Sequence, residues 1–160
     1  MNQSKKIALG GIFGALAVVI MSMGGLIPVA TFVCPMLCMI LLSTVCRRCG
    51  RRTGWAWYGA VSLLSLLLGP DKEAAAVFVF LGYYPILKTS IDRFRVAWLL
   101  KALLFNISIL LMYSALIHLF GMAQISAEYE QLGMITTAIM LLLGNVIFFL
   151  LDVLLSRLKI

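Results

Sequence analysis

Long apolar runs separated by short polar connections make up most of the chain, at roughly Ile7 to Ile27, Val29 to Cys46, Thr53 to Leu68, Ala74 to Leu87, Val96 to Phe120 and Gly133 to Leu155. Apolar stretches near 20 residues are the length a helix needs to cross the hydrocarbon core of a bilayer. The pattern predicts an all-α integral membrane protein whose six transmembrane helices form a single domain over residues 1–160. The first run is too long for the core of a cleavable leader and no small-x-small signal closes it, so it reads as a retained helix.

The polar residues between the runs are not distributed evenly. Of the 13 Lys and Arg residues, all but one fall on the same side once the runs are taken as spans. Lys5, Lys6, Arg47, Arg48, Arg51, Arg52, Lys88, Arg93, Arg95, Arg157 and Lys159 share that side, and Lys101 lies one turn into its helix. Basic residues are retained in the cytoplasm during insertion, so both termini are expected there, in a multi-pass protein of the cell membrane. Lys72 is the exception. It stands outside with Asp71, Glu73, Glu128 and Glu130, which makes the outer face the one of mixed charge.

Composition agrees with this reading. The chain is 63% hydrophobic and 12% charged, against about 45–50% and about 25% for soluble domains. A net charge of +7 raises the question of nucleic acid. The basic residues, however, sit in short loops beside apolar runs, where they orient the chain and meet anionic lipid headgroups. Arg47, Arg48, Arg51 and Arg52 are also read as a possible docking patch for a cytoplasmic partner.

The helices differ in kind. Gly24, Gly25 and Pro28 predict a tight outer turn after the first. Pro35 interrupts the ladder near the outer end of the second, leaving two readings for Val29 to Pro35: a re-entrant segment lining a cavity, or a simple proline kink. The fourth run is only 14 residues, about 21 Å at 1.5 Å per residue, so it must borrow length from Asp71 to Glu73 or lie inside the bundle. Pro70 suits a first turn, Asp71 an N-cap, and Glu73 the positive helix end. Trp55, Trp57, Tyr58, Tyr83, Tyr84 and Trp98 read first as interfacial anchors. On the first helix, Gly10, Gly14 and Ala17 form one small stripe, and Gly11 with Ala15 a second small pair one residue away, which predicts two close helix neighbours.

Chemistry-bearing groups are few. With one His, no paired carboxylates within a span and no phosphate-binding loop, the sequence offers no catalytic constellation, no metal site and no cofactor motif, and an enzyme is not expected. His118 lies at an outer helix end. Cys46 and Cys49 form a lone C-x-x-C pair, short of the four ligands of a structural zinc site. Cys34 and Cys38 read as packing residues. Asn106 and Asn145 both fall near mid-membrane, so they either meet each other or recognise a substrate. Lys101 is expected to reach the inner surface, with Asp152 pairing with it or with Arg157.

Short-looped helices, a Gly/Ala-rich first helix and an outer Ile27-Pro28 turn followed by Phe32 and Pro35 resemble the substrate-binding S component of energy-coupling factor (ECF) transporters, over nearly the whole chain at the level of architecture. The resemblance implies capture of a small micronutrient, vitamin-like or a metal ion, from outside. It also implies partnership with a transmembrane coupling subunit and cytoplasmic ATPases. In that family an Ala-x-x-x-Ala face of the first helix docks on the coupling subunit. Gly11 and Ala15, beside Gly10 and Gly14, would be that face here, and the outer turn after Ile27 the gate. Side and polarity single out Asp71, Lys72, Glu73, His118, Glu128 and Tyr129 as substrate-binding candidates, with Asn106 and Asn145 deeper in. The alternative is a membrane scaffold that binds partners without transporting, resembling the small rod-shape-determining membrane proteins.

Overall fold

The computed structural model describes residues 3–24, 30–120 and 123–157, and the side chains among them outside 117–137 and 140. The described chain is helical, without strands, in the order α1 Gln3–Ser22, α2 Ala30–Cys49, α3 Arg51–Leu68, α4 Lys72–Leu81, α5 Tyr84–Ile91, α6 Ala97–Phe120 and α7 Ala123–Arg157. Among the described residues, four stretches are long and apolar enough to cross a membrane: Gln3–Ser22, Ala30–Cys49, Lys72–Ile91 and Ala97–Leu116.

The connection expected between Cys46 and Thr53 contracts to one residue. Arg47 and Arg48 form the last turn of α2, where cations suit the negative helix end. The chain then reverses at Gly50, whose φ of 97° is a conformation that glycine tolerates and other residues rarely adopt. α2 and α3 diverge from this corner at close range. A Cβ on Gly54 would lie 2.2 Å from Cys46 Sγ, so the absent side chain sets how near α3 comes to α2.

α2 runs unbroken through Pro35, so residues 30–35 are helix and the re-entrant reading does not hold for them. Val29, with Gly25, Ile27 and Pro28 of the expected outer turn and gate, lies outside the described residues.

The span expected at Ala74 to Leu87 is longer. It starts at Lys72 behind the Asp71 cap and continues to Ile91, 20 residues in all. A break at Gly82–Tyr83 divides it into α4 and α5. Pro85 explains the break, since it cannot donate to the Leu81 carbonyl one turn earlier and its ring crowds that position. Lys88 misplaces the end in a sequence reading, because a cation looks like a boundary. It is instead 1% exposed inside the bundle.

α4 is the centre of the fold. Ala74, Ala75, Ala76, Val77, Phe78 and Leu81 are all buried, and α2, α3 and α6 pack around them. Three consecutive alanines cover most of the helix circumference with methyl groups, which lets neighbours approach from several directions at once. By contrast, α1 buries only Ala17 and Met21 and lies at the periphery against α2 and α3.

The aromatic residues divide. Trp98 and Trp55 are exposed, as interfacial anchors would be. Trp57 and Tyr84 are buried instead, and Tyr58 gives its hydroxyl to the Val79 carbonyl. Each of these three polar tips finds an acceptor within the bundle, which is what allows an amphipathic ring to leave the membrane surface.

Candidate functional site: an apolar cavity between two polar clusters

At one end of the bundle, each residue of the Asp71-Lys72-Glu73 segment ties a different helix to the start of α4. Asp71 Oδ1 accepts from the Glu73 and Ala74 amides, both at 3.0 Å, in an N-cap arrangement. Its Oδ2 accepts from Thr31 Oγ1 at 2.8 Å, which holds the first turn of α2. Lys72 Nζ donates to the Leu66 carbonyl at 2.8 Å and the Gly69 carbonyl at 3.0 Å. That cation therefore satisfies acceptors left unpaired at the end of α3 and faces the negative pole of its dipole. Glu73 Oε1 accepts from the Tyr113 hydroxyl at 3.3 Å, joining α4 to α6. The side chains of His118, Glu128 and Tyr129 lie outside the described residues.

Below this segment is a cavity of about 280 Å³ lined by four helices. α2 contributes Phe32 and Met36, α4 Val77 and Leu81, α6 Phe105, Ile109 and Tyr113, and α7 Leu141, Leu143, Gly144 and Ile147. Among the described lining residues, Tyr113 supplies the one polar side chain, and its hydroxyl donates to Glu73. Gly144 shapes the wall, since a Cβ there would lie 3.3 Å from the Phe105 ring.

Asn106 and Asn145 do not line this cavity; they bond to each other. Asn106 Nδ2 donates to Asn145 Oδ1 at 3.1 Å, and Asn145 Nδ2 returns the bond to Asn106 Oδ1 at 3.2 Å. The second proton of each amide goes to the carbonyl one turn back, Ala102 and Leu141, both at 2.8 Å. Every donor is satisfied without water, as hydrocarbon demands. Of the two sequence readings, substrate recognition and helix pairing, the geometry is that of pairing. Asn106→Leu should lower stability by about 0.6–1.7 kcal/mol, read by denaturing-detergent titration. Leu at both positions should recover part of the loss, because no amide is then left without a partner.

At the opposite end, a charged cluster joins α5, α6 and α7. Asp152 Oδ1 accepts from both the Lys88 ammonium and the Tyr84 hydroxyl. Lys101 reaches Asp152 Oδ2 at 2.9 Å and Asp92 Oδ1 at 2.5 Å, and Lys88 lies 3.5 Å from Asp92 Oδ2. Two cations meet two carboxylates, so the cluster is neutral. The expected partnership of Asp152 with Lys101 is present; Lys88 and Tyr84 were missed. The signal was there, because a carboxylate inside an apolar run needs every cation available at its depth. An aromatic ladder connects the cluster to the cavity. Tyr84 packs on Phe148 with ring centroids 4.6 Å apart, and Phe148 stacks on the cavity residue Phe105 at 4.7 Å.

The two small faces of α1 have separate roles. Trp57 Nε1 donates to the Gly10 carbonyl at 3.1 Å and lies against Gly14, while Ala17 is buried. Gly14 therefore contributes to packing within the bundle, and Gly10 joins it through its carbonyl, although a Cβ built on Gly10 meets no atom within 4 Å. Gly11 and Ala15 are exposed, with no atom within 4 Å of a Cβ built on Gly11. The cysteines are free thiols. Cys46 faces Gly54 of α3, whereas Cys49 points to the Lys6 carbonyl of α1, so the C-x-x-C pair serves two separate helix contacts. Among the described residues, no group of three or more His, Cys, Asp or Glu side chains could hold a metal ion. Comparison with protein-family models, curated proteins and solved structures finds no match to this chain.

Proposed function

We propose that the chain is a membrane-embedded capture subunit for uptake of a small molecule, resembling the S component of ECF transporters and working with a coupling subunit and cytoplasmic ATPases. In this reading six spans cross the cell membrane, with α3 and α7 added to the four most apolar stretches and both termini cytoplasmic. The observation that carries it is the cavity of about 280 Å³ held between α2, α4, α6 and α7. A scaffold that only binds partners has no need of a cavity between its central helices. Support for the partners comes from α1, a peripheral helix whose Gly11 and Ala15 are exposed while Gly14 lies against Trp57 of the bundle. The sequence carries no nucleotide-binding loop, so energy for transport has to come from other subunits.

The test is copurification from native membranes in mild detergent, with subunits identified by mass spectrometry. Gly11→Leu combined with Ala15→Leu should abolish recovery of a coupling subunit, because two isobutyl groups hold a docking backbone away. The bundle itself should remain folded, since neither position is packed. Equal recovery with the doubly substituted chain would sink the docking claim. Absence of ATPase subunits from every preparation, including the unsubstituted one, would favour the scaffold.

A further inference from the structure

The cavity has a buried side and an open side. Val77, Leu81 and Phe105 are buried at its back, each no more than 6% exposed. Phe32 of α2 and Leu141, Leu143 and Ile147 of α7 stand at its front, and all of them are exposed. The mouth is therefore the crevice between α2 and α7, over the central helix α4. In a spanning bundle that crevice faces the hydrocarbon core. We infer that the cavity is a laterally open site for an uncharged, largely apolar molecule of about two fused rings, which enters from the bilayer rather than from water.

Three observations converge on that ligand class. Size is the first: an apolar cavity of about 150 Å³ accommodates benzene, so about 280 Å³ holds a second ring. The lining is the second. A charged or strongly polar guest would lose its hydration, and among the described residues none of those lining the cavity carries a charge to offset that loss. Among the described lining residues, a metal ion would meet the thioether of Met36 and no carboxylate, imidazole or thiol. The third is the fate of the nearest charges. Asp71 and Lys72 are bound to backbone groups and Thr31, and the Tyr113 hydroxyl is turned to Glu73. The inference deepens the capture reading, on which it rests only for the claim that the bound molecule is a substrate.

The test uses the full chain in lipid nanodiscs and a trifluoromethyl phenyl diazirine as an uncharged, membrane-soluble photoprobe, with labelled residues mapped by mass spectrometry. Leu110 is 66% exposed and reports ordinary labelling from lipid; Leu42 is fully buried away from the cavity and reports background. Val77 and Phe105 should label several-fold above Leu42, and naphthalene at fixed lipid should suppress that excess without affecting Leu110. Ile109→Trp fills the cavity and should remove the excess at Val77. If that variant does not fold, Leu81→Phe fills the same space from α4. Labelling of Val77 and Phe105 at the Leu42 level overturns the inference. So does an excess that responds only to acyl-chain length, which assigns the space to bilayer lipid, or one suppressed by naphthoate but not by naphthalene, which assigns it to an anion. A competed excess with no copurifying ATPase leaves the site standing and removes the transport reading. ATPase recovery without any excess does the reverse.

Discussion

Asp152→Leu is expected to lower stability by about 3–5 kcal/mol, the usual consequence of removing one partner from a buried ion pair. The carboxylate receives Lys88, Lys101 and Tyr84 together. Without it, Lys88 remains 1% exposed with only Asp92 nearby, and Lys101 already occupies that carboxylate at 2.5 Å. Two ammonium groups would then share one acceptor. Denaturing-detergent titration, followed by circular dichroism, gives the loss directly. The double substitution Lys88→Met with Asp152→Leu should restore most of it, since Lys101 keeps Asp92 and no buried charge is left over. A single-substitution loss below about 1 kcal/mol, typical of exposed pairs, would mean that water reaches the cluster and that it does not hold α7.

This cluster also shows where sequence reasoning reaches and where it stops. Counting depth along two runs places Asn106 and Asn145 at one level, and the reciprocal amide pair is found there. The same counting pairs Asp152 with Lys101. Lys88 escapes it because a lysine at the edge of an apolar run has the same local pattern whether it ends the helix or lies buried against a carboxylate from a helix 64 residues away. Lys72 stands out in the charge pattern as the one cation expected outside. Its partners are carbonyls three and six residues back, so the exception in the charge pattern answers a local need at the end of α3. The cavity had no signature at all. Phe32, Val77, Ile109 and Ile147 are ordinary apolar residues of four different helices, and only the packing of those helices around α4 leaves a space between them.

Ala75→Leu is the second large effect, with an expected loss of about 1–3 kcal/mol from overpacking. Ala75 is 0% exposed, as is Ala74, and Ala76 is 3% exposed, so α4 has no side from which three added carbons could escape to lipid. The fit is tight at its start as well, where a Cβ on Gly24 would lie 3.3 Å from that of Ala74. Strain at Ala75 should spread along α4 to Val77 and Leu81, which form the back of the cavity. Thermal unfolding in detergent measures the loss, and photolabelling of Val77 measures the displacement. Ala8→Leu on the exposed face of α1 is the control, expected within about 0.5 kcal/mol of the unsubstituted chain. Leu at both sites adds the same apolar bulk, so a difference between them isolates burial from hydrophobicity. Equal tolerance at Ala75 and Ala8 would remove α4 from the centre of the bundle, and with it the wall against which a ligand between α2 and α7 would have to rest.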